Sequence, residues 1–156
     1  MAVSVGQNAI PFSLFDTEKN KISLDDYRGK KVLILFFPLA FTSVCTKELC
    51  SIRDGISFYN DTNAQVLGIS VDSLFTLNKF KEEQNLNFPL LSDFNKETSE
   101  AYGAIYPQFG FDMKGVSKRA AFVIDSKGTI QYAEVLDNAG ELPDFEAINA
   151  TLSSVD

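Results

Sequence analysis

The stretch Val32-Leu-Ile-Leu-Phe-Phe37 limits what this chain can fold into more than any other segment. It has no polar face, so a strand made from it is buried on both sides, and its sheet must be covered on both faces. Arg28-Gly-Lys-Lys31 before it reads as a turn. Pro38 after it ends the run, because proline cannot donate to a ladder. A second buried strand follows in Gln65-Val-Leu-Gly-Ile-Ser-Val71. Between the two, Leu49, Ile52, Ile56 and Tyr59 recur at helical spacing, with Gly55 weakening the helix. The order strand, helix, strand predicts a parallel pair with a crossover helix.

The rest of the chain can be placed around this unit. Phe12-Ser-Leu-Phe15 and Lys21-Ile-Ser-Leu24 flank the polar turn Asp16 to Asn20 and predict a short hairpin. A helix is expected over Ser73 to Gln84, a short extended piece at Asn87 to Leu91, and a short helix from Lys96 to Tyr102. Arg119 to Ile124 and Thr129 to Val135 read as strands joined by the turn Asp125-Ser-Lys-Gly128. Leu142 to Leu152 reads as a last amphipathic helix. A β-α-β unit followed by ββα fits an α/β, thioredoxin-like fold: a central mixed sheet flanked by helices, with an N-terminal hairpin extension. The alternation alone also permits a flavodoxin-like sheet.

The length of 156 residues suits one domain, and no repeat or linker divides residues 1–156. The net charge of -7 argues against capture of DNA, RNA or anionic lipid. The chain has no histidine. That removes Ser-His-Asp and Cys-His nucleophile pairs and histidine metal sites, and two cysteines cannot complete a four-ligand zinc site. No metal and no organic cofactor is expected. Met1-Ala-Val-Ser-Val-Gly6 lacks the basic start and apolar stretch of a signal peptide. No apolar run is long enough to span a membrane. The expected compartment is the reducing cytoplasm, where a close cysteine pair is more often redox-active than structural.

Those cysteines, Cys45 and Cys50, lie just after the first buried strand. A thiol nucleophile reacts as the thiolate, and an ordinary cysteine with a pKa of about 8.5 is only roughly 3 % ionised at pH 7. A helix N-terminus, a nearby cation and hydrogen-bond donors lower that value. Cys45 falls in the first turn of its predicted helix, where unpaired backbone N–H groups can face the sulfur. Thr42 brings a hydroxyl to the same turn, and Pro38, with no N–H, would help shield the sulfur from water. Without histidine, the cation must be Arg or Lys.

Pro38, Thr42 and Cys45 match the P-x-x-x-T-x-x-C motif of the peroxiredoxins, thiol peroxidases on a thioredoxin-like fold. The resemblance covers nearly the whole chain. Val5 to Phe12 and Leu24-Asp-Asp-Tyr-Arg-Gly-Lys30 are similar to the family's opening segments. Lys118-Arg-Ala-Ala-Phe-Val-Ile-Asp125 resembles the strand bearing its active-site arginine, which maps onto Arg119. Cys45-Thr-Lys-Glu-Leu-Cys50 and Ile52-Arg-Asp54 are similar to the bacterioferritin-comigratory-protein (PrxQ) branch, in which a second cysteine five positions on resolves the first. Glu48 also matches. Pro38-Leu-Ala-Phe-Thr42 is more similar to the one-cysteine AhpE-type branch.

The resemblance implies that Cys45 attacks a peroxide and becomes a sulfenic acid. Thr42, Arg119 and the N–H groups of Val44 and Cys45 would stabilise the charge on the peroxide oxygens. Cys50 would then resolve Cys45, and a thioredoxin- or glutaredoxin-like protein would recycle the pair, in a monomer or a homodimer. Residues five apart on an intact helix are separated by about 8 to 9 Å at Cα. A disulfide needs less than about 7 Å, so pairing requires the helix to open.

Blander readings stand beside these. Cys50 can be a buried core residue beside Leu49 and Ile52, and Glu48 a solvated helix residue suited to the dipole. Arg53 either forms a surface ion pair or orients the surroundings of Arg119. Tyr106, Pro107, Phe109 and Phe111, in the long loop Gly103 to Ser117, either cover the pocket, form a dimer patch or pack under the loop. Two other functions remain open: a thiol–disulfide oxidoreductase, which would ordinarily carry C-x-x-C, and a non-enzymatic chaperone or interaction module using the aromatic loop.

Overall fold

In a computed structural model, residues 3–156 are described. Residues 1 and 2, on which the reading of Met1 to Gly6 partly rests, lie outside the described residues. Seven strands form one sheet: β1 (Ser13–Asp16), β2 (Lys21–Ser23), β3 (Lys31–Phe36), β4 (Ala64–Ser70), β5 (Leu90–Ser92), β6 (Ala120–Ile124) and β7 (Ile130–Val135). Their spatial order is β2-β1-β5-β4-β3-β6-β7. Strand β3 runs parallel to β4 and antiparallel to β6, and β6 is antiparallel to β7. The quartet β4-β3-β6-β7 is the thioredoxin-like arrangement. Its antiparallel β6 and β7 exclude the all-parallel flavodoxin-like alternative.

The sheet has two covered faces, as the doubly apolar β3 requires. Leu33 and Leu35 point into a core that also receives Leu49, Ile52, Tyr59, Phe80 and Ile148. Val32, Ile34 and Phe36 point into a second core with Leu67, Tyr102 and Phe122. The first is roofed by α1 (Ser43–Asp54), α2 (Ile56–Asp61), α3 (Leu74–Gln84) and α5 (Phe145–Ser154). The short α4 (Glu97–Ala101) and the N-terminal segment cover the second. Gly68 on β4 permits the closest packing. A Cβ there would lie 2.7 Å from Leu90 Cδ2 on β5, so no larger residue fits without displacing that side chain.

Three sequence expectations change in detail. The extended piece expected at Asn87 to Leu91 pairs as a strand only over Leu90–Ser92. The single helix expected from Leu49 to Tyr59 is two, because Gly55 takes φ -104, ψ 19 and ends α1 while opening α2. Glycine's weak helix propensity supplies the break. The last helix starts at Phe145, not Leu142, where the Asp144 side chain accepts from Ala147 N–H and caps it. No helix among the described residues is long and apolar enough to cross a membrane.

Candidate active site

The loop after β3 fixes where α1 begins. Phe41 adopts φ 68, a left-handed conformation costing a bulky residue on the order of 1–3 kcal/mol. Its ring leans on Phe80 with centroids 5.2 Å apart. This bend lets Thr42 take the N-cap position of α1 in extended geometry. The first backbone bond of the helix runs from Thr46 N–H to Thr42 C=O, at 2.9 Å. The N–H groups of Val44 and Cys45 precede it, and the Thr42 side chain does not cap them.

A second anchor holds the loop from β4. The Asp72 carboxylate accepts from Ala40 N–H at 2.8 Å and from Ser70 Oγ at 2.7 Å. Asp72 was not singled out in the sequence. Its position just past the carboxyl end of a parallel strand, where sites on such sheets gather, is the signal that could have found it.

The structure brings Cys45, Glu48 and Arg119 together. Arg119 sits immediately before β6, with Cys45 and Glu48 on α1. All three are buried, at 1 %, 0 % and 1 % exposure respectively. Arg119 Nη2 donates to Cys45 Sγ at 3.3 Å, and Nη1 donates to Glu48 Oε1 at 2.7 Å. Nε and Nη2 both donate to the Ala139 carbonyl, at 3.1 and 2.9 Å. This carbonyl, in the loop after β7, holds the guanidinium from behind and had no sequence signal. Burial pulls the Arg119 pKa down, but the facing Glu48 and Cys45 more than reverse that and leave it raised. Burial pushes the Glu48 carboxyl up to about 7 although Arg119 opposes the shift. Of the two readings of Glu48, the solvated helix residue is excluded: the side chain is part of the buried cluster.

The other candidates fall as follows. Pro38 is buried at the end of β3, while Thr42 is exposed. The Thr42 hydroxyl donates to Leu39 C=O at 2.7 Å. Its one proton is thus committed, so the hydroxyl is not the free donor expected from sequence. Cys50 is half-buried and donates to Gln84 Oε1 at 3.3 Å. Both cysteines are free and lie within the unbroken α1. Arg53 pairs with Asp54 at 2.9 Å and donates to the Gln84 carbonyl, so it belongs to the α1–α3 contact, not to Arg119. In the 103–117 loop, Tyr106 stacks near Phe109 and donates to the Asp137 carbonyl at 2.9 Å. Phe111, at 99 % exposure, covers no pocket. No group of three or more potential metal-ligating side chains occurs among the described residues.

The profile of the AhpC/TSA family matches residues 5–133, which include the cluster. The chain is a peroxiredoxin of the AhpC/TSA family. Among relatives, a Coxiella burnetii protein assigned to the peroxiredoxins as bcp is 42 % identical over 83 % of this chain and 87 % of its own. Alkyl hydroperoxide reductase E of Mycobacterium bovis is 37 % identical over 91 % of each chain. The crystal structure of peroxidoxin BcpB from Mycobacterium tuberculosis superposes with a TM-score of 0.87, at 26 % identity over 99 % of both chains. The reduced 2-Cys peroxiredoxin of Plasmodium vivax gives 0.85, at 28 % identity over 97 % of this chain and 81 % of that one. The protein is thus a thiol peroxidase on a thioredoxin-like fold, and relatives of both the bcp and the AhpE kind are among its matches.

Proposed function

We propose that Cys45 is the peroxidatic thiol, that it reduces hydrogen peroxide and organic hydroperoxides, and that Cys50 resolves it in an intramolecular disulfide. The observation that carries this reading is the 3.3 Å contact of Arg119 Nη2 with Cys45 Sγ inside a buried cluster. A guanidinium beside a sulfur favours the thiolate, and the same fork can hold a peroxide oxygen. Sulfur attack on the distal oxygen breaks the O–O bond and moves negative charge to the leaving oxygen. Arg119 and the N–H groups of Val44 and Cys45 stabilise that charge. Thr42, its proton given to Leu39, accepts from the peroxide O–H and so orients the substrate. Pro38 keeps water from the sulfur. The chain acts as a single domain over 1–156, without metal or organic cofactor.

Resolution by Cys50 requires movement. Both thiols sit on a continuous helix five positions apart, beyond about 7 Å at Cα by helix geometry. Disulfide formation therefore unwinds α1 and releases Cys50 from Gln84. A thioredoxin- or glutaredoxin-like protein then reduces the exposed disulfide, in the reducing cytoplasm. No role with nucleic acid or membrane is assigned, and the protein works as a monomer or homodimer.

Mass spectrometry after one equivalent of peroxide tests the scheme. The wild type should yield a Cys45–Cys50 disulfide, and Cys50→Ser a Cys45 sulfenic acid. Cys45→Ser should consume no peroxide. A Cys45→Ser protein that still turns over peroxide would overturn the assignment.

A further inference from the structure

Cys45 and Glu48 stand one turn apart on α1 and share a single cation, Arg119. Glu48 Oε1 accepts from that arginine, while Oε2 is buried with no hydrogen-bond partner among the described residues. An unpartnered carboxylate oxygen in a dry site is costly, and a neutral acid is much less so. Burial accordingly pushes this carboxyl up to about 7. The charge count points the same way. With thiol and carboxyl both ionised, two buried negative charges face one guanidinium. With a single proton between them, the trio is neutral, which the low-dielectric interior favours.

We propose that Glu48 is the proton store of the peroxidatic site: as a carboxylic acid it holds the proton that Cys45 gives up, and it returns that proton to the leaving oxygen. This rests on the peroxidase reading above. The Cys45 thiolate attacks the distal oxygen of R–O–O–H; an S–O bond forms and the O–O bond breaks. Sulfur is oxidised by two electrons, and the peroxide is reduced by two. The distal oxygen keeps its hydrogen in the sulfenic acid, and R–O⁻ departs. Glu48 protonates R–O⁻ to water or alcohol and becomes a carboxylate. Arg119 then holds this carboxylate without a competing thiolate. Thiol and peroxide thus become sulfenic acid and alcohol with no proton drawn from solvent.

Among the described residues, the surroundings offer no better store. The chain has no histidine. Tyr106, the other titratable side chain in the field of Arg119, has its proton on the Asp137 carbonyl and a raised pKa from its own burial. Lys118 pairs with Asp137.

Peroxide-induced infrared difference spectroscopy near neutral pH tests this on the Cys50→Ser protein, in which the sulfenic acid is not resolved, run beside a proton-sensitive dye in weak buffer and mass spectrometry of Cys45. As each sulfenic acid forms, Cys50→Ser should lose one carboxylic-acid C=O band, gain one carboxylate and take up no proton. Adding Glu48→Gln, which keeps the side chain's shape, should leave no such band and take up one proton per sulfenic acid. Heavy-carbon glutamate labelling must shift the Cys50→Ser band, so that protein decides even if the double variant does not fold. Sulfenic acid formation with proton uptake and no lost carboxylic-acid band would overturn the store and leave the peroxidase reading intact. Absence of Cys45 sulfenic acid overturns both.

Discussion

Arg119 Nη2 lies 3.3 Å from Cys45 Sγ although 74 positions separate the two residues in the chain. The contact follows from the sheet. Strand β6 lies antiparallel beside β3, which pairs Ala120 with Phe36 and sets Arg119 beside the end of β3 where α1 begins. The Ala139 carbonyl then takes Nε and Nη2 and fixes the plane of the fork.

Arg119→Lys should therefore fail even though the charge is kept. A lysine ammonium cannot bond Cys45, Glu48 and Ala139 together in one plane. We expect the rate constant for peroxide reduction to fall by about 10²–10³-fold. Stopped-flow oxidation of Cys45 measures this, with circular dichroism to confirm folding. A rate within a few-fold of wild type would show that the fork geometry does not matter.

Stability should depend on pH through Glu48. Its folded value of about 7 lies above the ordinary 4.5. The folded state therefore binds a proton across that window that the unfolded state has already lost, and stability falls as pH rises from about 4.5 to 7. The span corresponds to about 3 kcal/mol at most. Glu48→Gln removes the titration. Its Tm relative to wild type should rise between pH 5 and 8, by scanning calorimetry. A constant difference across that range would refute the assignment.

Thr42→Val keeps the branched shape and removes the oxygen proposed to accept from a peroxide O–H. The peroxide rate should fall about 10²-fold, and Thr42→Ser should restore most of it. Loss of the Thr42–Leu39 bond also loosens the loop, so the Ser variant separates the hydroxyl's role from packing.

Asp72→Ala leaves Ala40 N–H and Ser70 Oγ without their shared acceptor. Chemical denaturation should show a loss of about 1–3 kcal/mol. The peroxide rate should drop as well, because the loop that sets Phe41 and Thr42 is no longer held from β4. Asp72→Asn, which retains an acceptor oxygen, should recover most of both.

Oxidation should loosen α1 locally. Hydrogen exchange across Thr42 to Ile52 should increase once Cys45 and Cys50 are disulfide-bonded, while β3 and β4 stay protected. Unchanged protection in a confirmed disulfide form would contradict the unwinding.

Much of the fold is legible in the sequence because the signals are local. The apolar runs at β3 and β4 and the turn at Asp125 to Gly128 are short-range patterns, and each gave its element to within a residue or two. Gly55 was visible as a weakness, but whether it bends the helix or breaks it depends on what packs on either side. The Pro38, Thr42, Cys45 motif was equally legible, since three residues within eight positions need no tertiary contact to be recognised.

The charged cluster belongs to the tertiary structure. A glutamate on a helix is ordinarily solvated, and in the sequence only the family resemblance marks Glu48. Only the docking of α1 against the sheet buries it, and only the β3–β6 register brings a guanidinium to it. The Thr42 proton's commitment to Leu39, the Asp72 clamp and the Ala139 carbonyl depend likewise on how distant loops meet. Sequence by itself determined the candidate residues for the chemistry, through hydrophobic period, motif and resemblance. Tertiary structure decided their charge and donor state, because desolvation and hydrogen-bond partners are properties of neighbours that the chain brings together only on folding.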